Sequence, residues 1–207
     1  MIGRRGLLLG LAAPGAVLAA PPPGNRLAFR VARNGSSIGS HVLEFTPVAQ
    51  GLEISIAVDI LVKFGPITLY RYRLRGHESW RNNQVVQAEA QTDDDGTAAF
   101  MRARRDSAGL WVEGSHGARY LAPANALPAT HWNPAELDGP WINPQDGKLL
   151  RPEVTRFGAE ALAGGRTARR YALSGEVRME LWYSEARIWS ALRAPGKDGS
   201  VITYDLT

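Results

Sequence analysis

Two consecutive stretches constrain this chain more than any others. Leu52–Val62 and Ile67–Trp80 both alternate with the period of two that marks a strand with one covered and one wet face. In the second, Tyr70, Tyr72, Leu74, Gly76, Glu78 and Trp80 share one face; Arg71, Arg73, Arg75 and His77 share the other. In the first, Ile54, Ile56, Val58 and Ile60 alternate with Glu53, Ser55, Ala57 and Asp59. Joined at Phe64-Gly65-Pro66, the two form an antiparallel hairpin. Pairing Lys63 with Ile67 sets Ile60 by Tyr70, Val58 by Tyr72 and Ile56 by Leu74. It also places Asp59 opposite Arg71 and Glu53 opposite His77. A slip of one residue would set every arginine against a buried aliphatic, so the pattern demands this phase. Asn82-Asn83 then turns the chain, and pairing Arg81 with Val85 puts Val86 by Trp80, Glu89 by His77 and Asp93 by Arg73. The arginine row therefore reads as a charge-balanced outer face, each cross-strand pair contributing roughly 0.2–1 kcal/mol.

Strands continue on both sides. Leu27, Phe29 and Val31 alternate with positions that carry the arginines Arg26 and Arg30, Asn34-Gly35 makes a hairpin turn, and Ile38–Phe45 returns. Thr97–Arg105, Gly109–Glu113 and Gly117–Leu121 follow the central three at meander spacing. Whether Ala88 faces Met101 or Arg102 stays open. Beyond residue 147 come Lys148–Phe157, bent at Pro152, and a helical turn over Ala159–Ala163 ended by Gly164-Gly165. Thr167–Leu173, Arg178–Tyr183, Ile188–Leu192 and Val201–Leu206 then follow as strands. In Arg178–Tyr183, Trp182 lies opposite Met179, Leu181 and Tyr183, as an edge tryptophan or a second ligand platform. The expected fold is all-β: a single large, strongly curved antiparallel meander, a half-barrel, forming one domain over 27–207.

The alternation stops between Pro123 and Gly147. Five prolines hold this insert extended. Asn133-Pro134-Ala135-Glu136 supplies an N-cap, a proline at the first helical position and an acid at the third, and Gly139 ends the turn. The insert carries Thr130, His131, Trp132 and Trp141. An irregular run of this length in a compact domain is usually a lid, a binding loop or a plug.

The 207 residues suffice for one domain with a real core. Residues 1–19 have the form of an export signal: Arg4-Arg5, the apolar Leu7–Ala13, then small residues. Cleavage is expected after Ala19, since Pro21 disfavours the next bond, leaving 20–26 as a linker. Gly3-Arg4-Arg5-Gly6-Leu7-Leu8 resembles a twin-arginine signal, and a general secretory signal accommodates the same pair. Without Arg4 and Arg5, 22 basic side chains face 20 acidic ones, so there is no nucleic-acid footprint. The chain has no cysteine, hence no disulfide, thiol ligand or lipidated cysteine. A soluble periplasmic or secreted protein without an integral membrane segment is the expectation. A membrane barrel is disfavoured, because the row Arg71–Arg75 would face lipid if the aromatic face turned inward.

Three motif matches lack their context. Gly35-Ser36-Ser37-Ile38-Gly39 fits the serine-hydrolase elbow, but that motif needs a strand turning into a helix and this one spans a hairpin. Asp93-Asp94-Asp95-Gly96 lacks the ligand alternation of a calcium loop, with Arg104 where the closing Glu belongs. His41, His77, His116 and His131 show no close ligand spacing, so no metal or other cofactor is expected.

Asn34-Gly35 with Ile38-Gly39-Ser40-His41, Tyr70-Arg71-Tyr72, Glu78-Ser79-Trp80, His131-Trp132-Asn133-Pro134 and Leu181-Trp182-Tyr183 together resemble a family of exported bacterial proteins described as a domain of unknown function. The likeness spans Leu27 to Leu206 and implies a secreted all-β domain with no assigned activity. More distantly, the exported meander with an irregular insert looks like the half-barrels of the periplasmic lipoprotein-carrier group, which hold acyl chains against a concave apolar sheet.

Glu78 is the misfit on the covered face. An unpaired carboxylate there costs several kcal/mol or stays protonated. Either Arg102, Arg104 or a tyrosine hydroxyl satisfies it, or it belongs to a cleft. The cleft reading assigns ligand contacts to Tyr70, Tyr72, Glu78 and Trp80 on the sheet. It adds His131, Trp132 and Trp141 on the loop that closes over them. The leading expectation is a binding or carrier module for an apolar or amphipathic small molecule, with no catalytic residue. The alternatives are a hydrolase or isomerase using Glu78 with His131, and an envelope module that meets a protein partner.

Overall fold

The computed structural model describes residues 21–207; the expected leader and cleavage point lie outside them. Eight strands run in a meander: β1 (Arg26–Arg33), β2 (Ser36–Val48), β3 (Gly51–Phe64), β4 (Ile67–Arg81), β5 (Gln84–Asp94), β6 (Thr97–Asp106), β7 (Gly109–Gly114) and β8 (Gly117–Leu121). The insert contributes three short strands, β9 (Leu127–Pro128), β10 (Trp141–Ile142) and β11 (Leu149–Leu150). The second arm is β12 (Glu153–Ala161), β13 (Thr167–Ser174), β14 (Met179–Tyr183), β15 (Trp189–Pro195) and β16 (Val201–Leu206). All but β9–β11 belong to one antiparallel sheet of 13 strands in the order β12-β13-β14-β15-β16-β1 through β8. The last strand thus pairs with the first, and β8 and β12 are the free edges of an open half-barrel.

That topology gives the insert its place. The chain leaves one edge at Leu121 and re-enters at the other edge at Glu153, so everything between must cross the opening. It crosses on the covered face. Trp132, Leu137, Trp141 and Ile142 belong to the same hydrophobic core as Phe29, Leu43, Ile54, Val85, Met101 and Leu181 of the sheet. Each fully buried side chain of this size contributes about 1.5–3 kcal/mol.

The β3–β4 phase is as expected, but its register is two residues away. Ile60 faces Tyr72, Val58 faces Leu74, Asp59 faces Arg73 and Ser55 faces His77. Two local features add up to that shift: the turn is tighter, pairing Phe64 with Ile67, and a bulge falls between Val62 and Lys63. A shift of two preserves the faces. The outer row is still charge-balanced, with Arg75 on Asp59 at 2.8 Å and His77 on Glu53 at 3.0 Å. In β4–β5, Arg81 pairs with Gln84 and Trp80 with Val85, and a bulge then restores the expected His77–Glu89 and Arg73–Asp93 pairs. Ala88 faces neither candidate. It sits by Ala103, while Met101 faces Ala90 and Arg102 points outward by Glu89.

Two further expectations are corrected. Ala159–Ala161 continues strand β12, and only Ala163–Gly165 forms a 3-10 turn; pairing with Arg169, Ala168 and Thr167 outweighs the local helical preference. Trp182 is no edge residue. It lies on an interior strand, where Leu162 packs over its small cluster with Ala168 and Ala191, and it donates to Glu160 at 2.6 Å. Among the described residues no helix is long and apolar enough to cross a membrane.

Candidate functional site

Two buried carboxylates fix the insert to the sheet. Glu78, 2% exposed, lies on β4 between Ile54 and Ala88 of the neighbouring strands. Its Oε1 accepts from Thr130 Oγ1 at 2.8 Å. Its Oε2 accepts from the indole N–H groups of Trp80 at 2.7 Å and Trp132 at 3.1 Å. The expected arginine or tyrosine partner is therefore replaced by two tryptophans and a threonine. Burial holds the Glu78 carboxyl above the ordinary carboxylate range, against the pull of these three donors. The two indoles meet edge to face with ring centroids 5.0 Å apart.

Glu136 is the second anchor, 1% exposed in the 3-10 turn Pro134–Asp138 that Asn133 caps by accepting from Ala135 N. Its Oε2 accepts from the backbone N–H of His131 at 3.0 Å, and its Oε1 lies 2.7 Å from His131 Nδ1. With a carboxylate oxygen as its partner, Nδ1 is the nitrogen that donates. The Tyr183 hydroxyl lies 2.8 Å from the His131 carbonyl and 3.2 Å from Glu136 Oε1. Trp141 Nε1 donates to the Glu136 carbonyl at 2.7 Å. These bonds hold His131 at a φ of +65°, a region that residues with a Cβ seldom occupy.

Between sheet and insert lies a cavity of about 440 Å³. Aliphatic side chains such as Ile56, Val58, Leu74 and Leu192 form much of its wall, with the phenols of Tyr70, Tyr72 and Tyr204 toward one end. His41, His131 and Trp141, all buried, also line it. No Asp, Glu, Lys or Arg side chain lines it. His41 is 7% exposed and its Nε2 is buried without a hydrogen-bond partner. Trp189 packs against its ring at 5.3 Å and Tyr204 at 5.8 Å. Burial, with a smaller contribution from His131, lowers the His41 pKa to about 3. Burial also pushes Tyr204 up to about 12 and raises Tyr72, with Tyr204 as the second cause. These groups are neutral around pH 7.

Of the seven residues expected to contact a ligand, Tyr70, Tyr72, His131 and Trp141 line the cavity. Tyr70 is half-exposed, its hydroxyl donating to Asp94 at 2.6 Å. Glu78, Trp80 and Trp132 are brought together but lie outside the cavity wall; the two indoles border a separate cleft of about 850 Å³ with Pro47 and Arg81. Glu78 and His131 make no hydrogen bond to each other, each being engaged elsewhere. His41, Tyr204 and Glu136 were not among the expected residues. Strict alternation with Leu43 and Phe45 does place His41 on the covered face, whereas Glu136 looks like an ordinary helix-cap acid. A third cleft, of about 680 Å³, is lined by Arg156, Arg169, Arg187, Asp138 and Glu185 and has no comparable apolar wall. Among the described residues no three His, Asp or Glu side chains converge as a metal site requires.

No curated protein matches the chain in sequence. Among solved structures, it is similar to a beta-barrel-like protein of the domain of unknown function DUF1849 from Brucella abortus. That match has 11% identity and a TM-score of 0.58, covering 88% of this chain and 94% of the other. A likeness at that identity extends to the fold. Residues 29–207 match the domain of unknown function DUF6134, and the chain belongs to that family.

Proposed function

We propose that this protein is an exported binding or carrier module for a neutral, largely apolar small molecule held between the curved sheet and the insert. The observation that carries this reading is the 440 Å³ cavity with no formally charged side chain in its wall. Ligand sites of this kind are concave, mostly apolar and supplied with a few polar groups that orient the guest. Here those groups are the His41 imidazole, held neutral by burial, and the phenols of Tyr72 and Tyr204. A carboxylate or ammonium would enter past a wall with no Asp, Glu, Lys or Arg to pair with it, at a cost in desolvation. Alcohols, esters and amides on an apolar body suit the lining better. The leader-like residues 1–19 support a periplasmic or secreted setting.

Native mass spectrometry of protein purified from an exporting cell, followed by organic extraction, tests the reading. The expected result is a bound mass that extracts as a neutral amphipath. A solvatochromic dye is expected to bind the emptied protein at one site and to be displaced by a long-chain alcohol more strongly than by the matching carboxylate. Ala194→Trp, which fills part of the cavity wall, is expected to abolish dye binding. An apo mass together with no saturable dye binding would overturn it.

A further inference from the structure

The hairpin joining β3 to β4 carries apolar side chains that the core does not use. β3 pairs with β2 only as far as Ile60, and β4 with β5 only as far as Tyr72, yet β3 and β4 stay paired to Phe64 and Ile67. Beyond those pairs a two-stranded ribbon runs on, tied to its neighbours only at its base, where the Arg71 carbonyl accepts from Asp95 N at 2.7 Å. At its tip Phe64, Ile67 and Leu69 are 74%, 59% and 57% exposed, the most of any large apolar side chains among the described residues. Single exposed apolar residues are ordinary; three on one free turn mark an interaction site.

The ribbon's charges are as distinctive. Lys63 and Arg71 flank the tip, and neither forms a salt bridge among the described residues, although Arg73 and Arg75 both pair with Asp59. The two-residue register shift moves Asp59 away from Arg71. Asp94 and Asp95 sit at the ribbon's base, where they accept from the Tyr70 hydroxyl and the Arg71 backbone N–H. Ile60 and Tyr70, where the ribbon leaves the sheet, also line the cavity.

We propose that the ribbon from Leu61 to Arg71 is a membrane-docking finger that seats Phe64, Ile67 and Leu69 in the interfacial layer of an anionic bilayer and holds the cavity mouth against the lipid. Apolar tip and unpaired cations are the two components that drive interfacial binding, and both are present on one turn. A protein partner fits less well. A stable protein interface takes about 800 Å² from each side, and a narrow ribbon with three apolar side chains supplies a fraction of that. Insertion into lipid requires no matching surface. Docking here does not depend on the cavity being occupied.

The absence of cysteine provides a direct test. Phe64→Cys carries a single environment-sensitive fluorophore at the tip; Ser107→Cys carries it on the exposed β6–β7 turn at the opposite end of the strands. With vesicles of equimolar phosphatidylglycerol and phosphatidylethanolamine, the tip label is expected to shift to the blue and the Ser107 label to stay unchanged. The tip shift is expected to weaken with added salt and with purely zwitterionic vesicles. Changing Phe64, Ile67 and Leu69 together to serine is expected to lower vesicle partitioning about tenfold or more, with an unaltered melting curve and unaltered dye binding in the cavity. An unshifted tip label overturns the proposal, as do equal shifts at both positions. A tip shift that appears with envelope extract but not with vesicles overturns it in favour of a protein partner.

Discussion

Glu78 owes its place to donors rather than to a counter-ion. Three neutral groups, two indole N–H and one hydroxyl, surround a carboxylate that the sheet has removed from water. Gln at this position reproduces the arrangement: its oxygen accepts from Trp80 and Trp132 and its amide donates to the Thr130 hydroxyl. Glu78→Gln is therefore expected to melt within about 1 kcal/mol of the parent at pH 7, whereas Glu78→Ala strands three buried donors and costs about 3–5 kcal/mol. The sign with pH follows from the raised carboxyl. The folded protein holds this proton more tightly than the unfolded chain does, so stability falls as pH rises from the unfolded value near 4.5 through the higher folded one. Glu78→Gln should lack that component in a melting series from pH 4 to 8. His41 has the opposite sign. Its pKa is lowered to about 3 from 6.5. Stability is thus fully present above 6.5 and is lost as pH falls toward 3. By pH 5 the loss attributable to His41 is about 2 kcal/mol. His41→Leu is expected to flatten the melting temperature between pH 7 and pH 5 relative to the parent; an unchanged slope would show that another group carries it.

At the scale of the strand pair, the serine-elbow look-alike has a structural account. A Cβ on Gly39 would lie 1.9 Å from the Asp59 carbonyl oxygen, so the last glycine of Gly35-Ser36-Ser37-Ile38-Gly39 is required by the close approach of β3. Gly35, at φ +84°, is required by the hairpin turn. Gly39→Ala is expected to destabilise by about 2 kcal/mol or more, while Ser37→Ala, on an exposed position, stays within about 0.5 kcal/mol of the parent. Chemical denaturation of both variants checks this structural account of the glycine. The same pair shows what alternation does and does not encode. Which residues of β3 and β4 face inward is legible, because a one-residue slip buries arginines. The absolute register is not, because turn length and the Val62/Lys63 bulge shift it by two without changing either face. In the site the same limit applies. Alternation places Tyr72, Glu78 and Trp80 on the covered face, but it carries no information on which insert residue meets which. Thr130 finds Glu78, and Tyr183 finds Glu136 and the His131 carbonyl, only across the opening of the half-barrel.

The molecule as a whole is a sheet with two free edges and one segment that must cross between them. That crossing is fastened at Glu78 through Thr130 and Trp132, and at Glu136 through His131 and Tyr183, with the cavity beside both fastenings. Tyr183→Phe removes the one hydroxyl proton that reaches the His131 carbonyl, while Glu136 keeps its two donors from His131, a cost of about 1–3 kcal/mol. If the insert opens as its own unit, that cost appears as faster amide exchange in the insert alone. Every 1.4 kcal/mol corresponds to about tenfold, so residues 127–142 should exchange about fivefold or more faster while β3 to β6 are unchanged. A bound dye should leave the cavity faster in the same proportion, because it waits on the same opening. Equal acceleration across β3 to β6 would instead mean that sheet and insert unfold together. The insert would then be part of the core rather than a gate over the cavity.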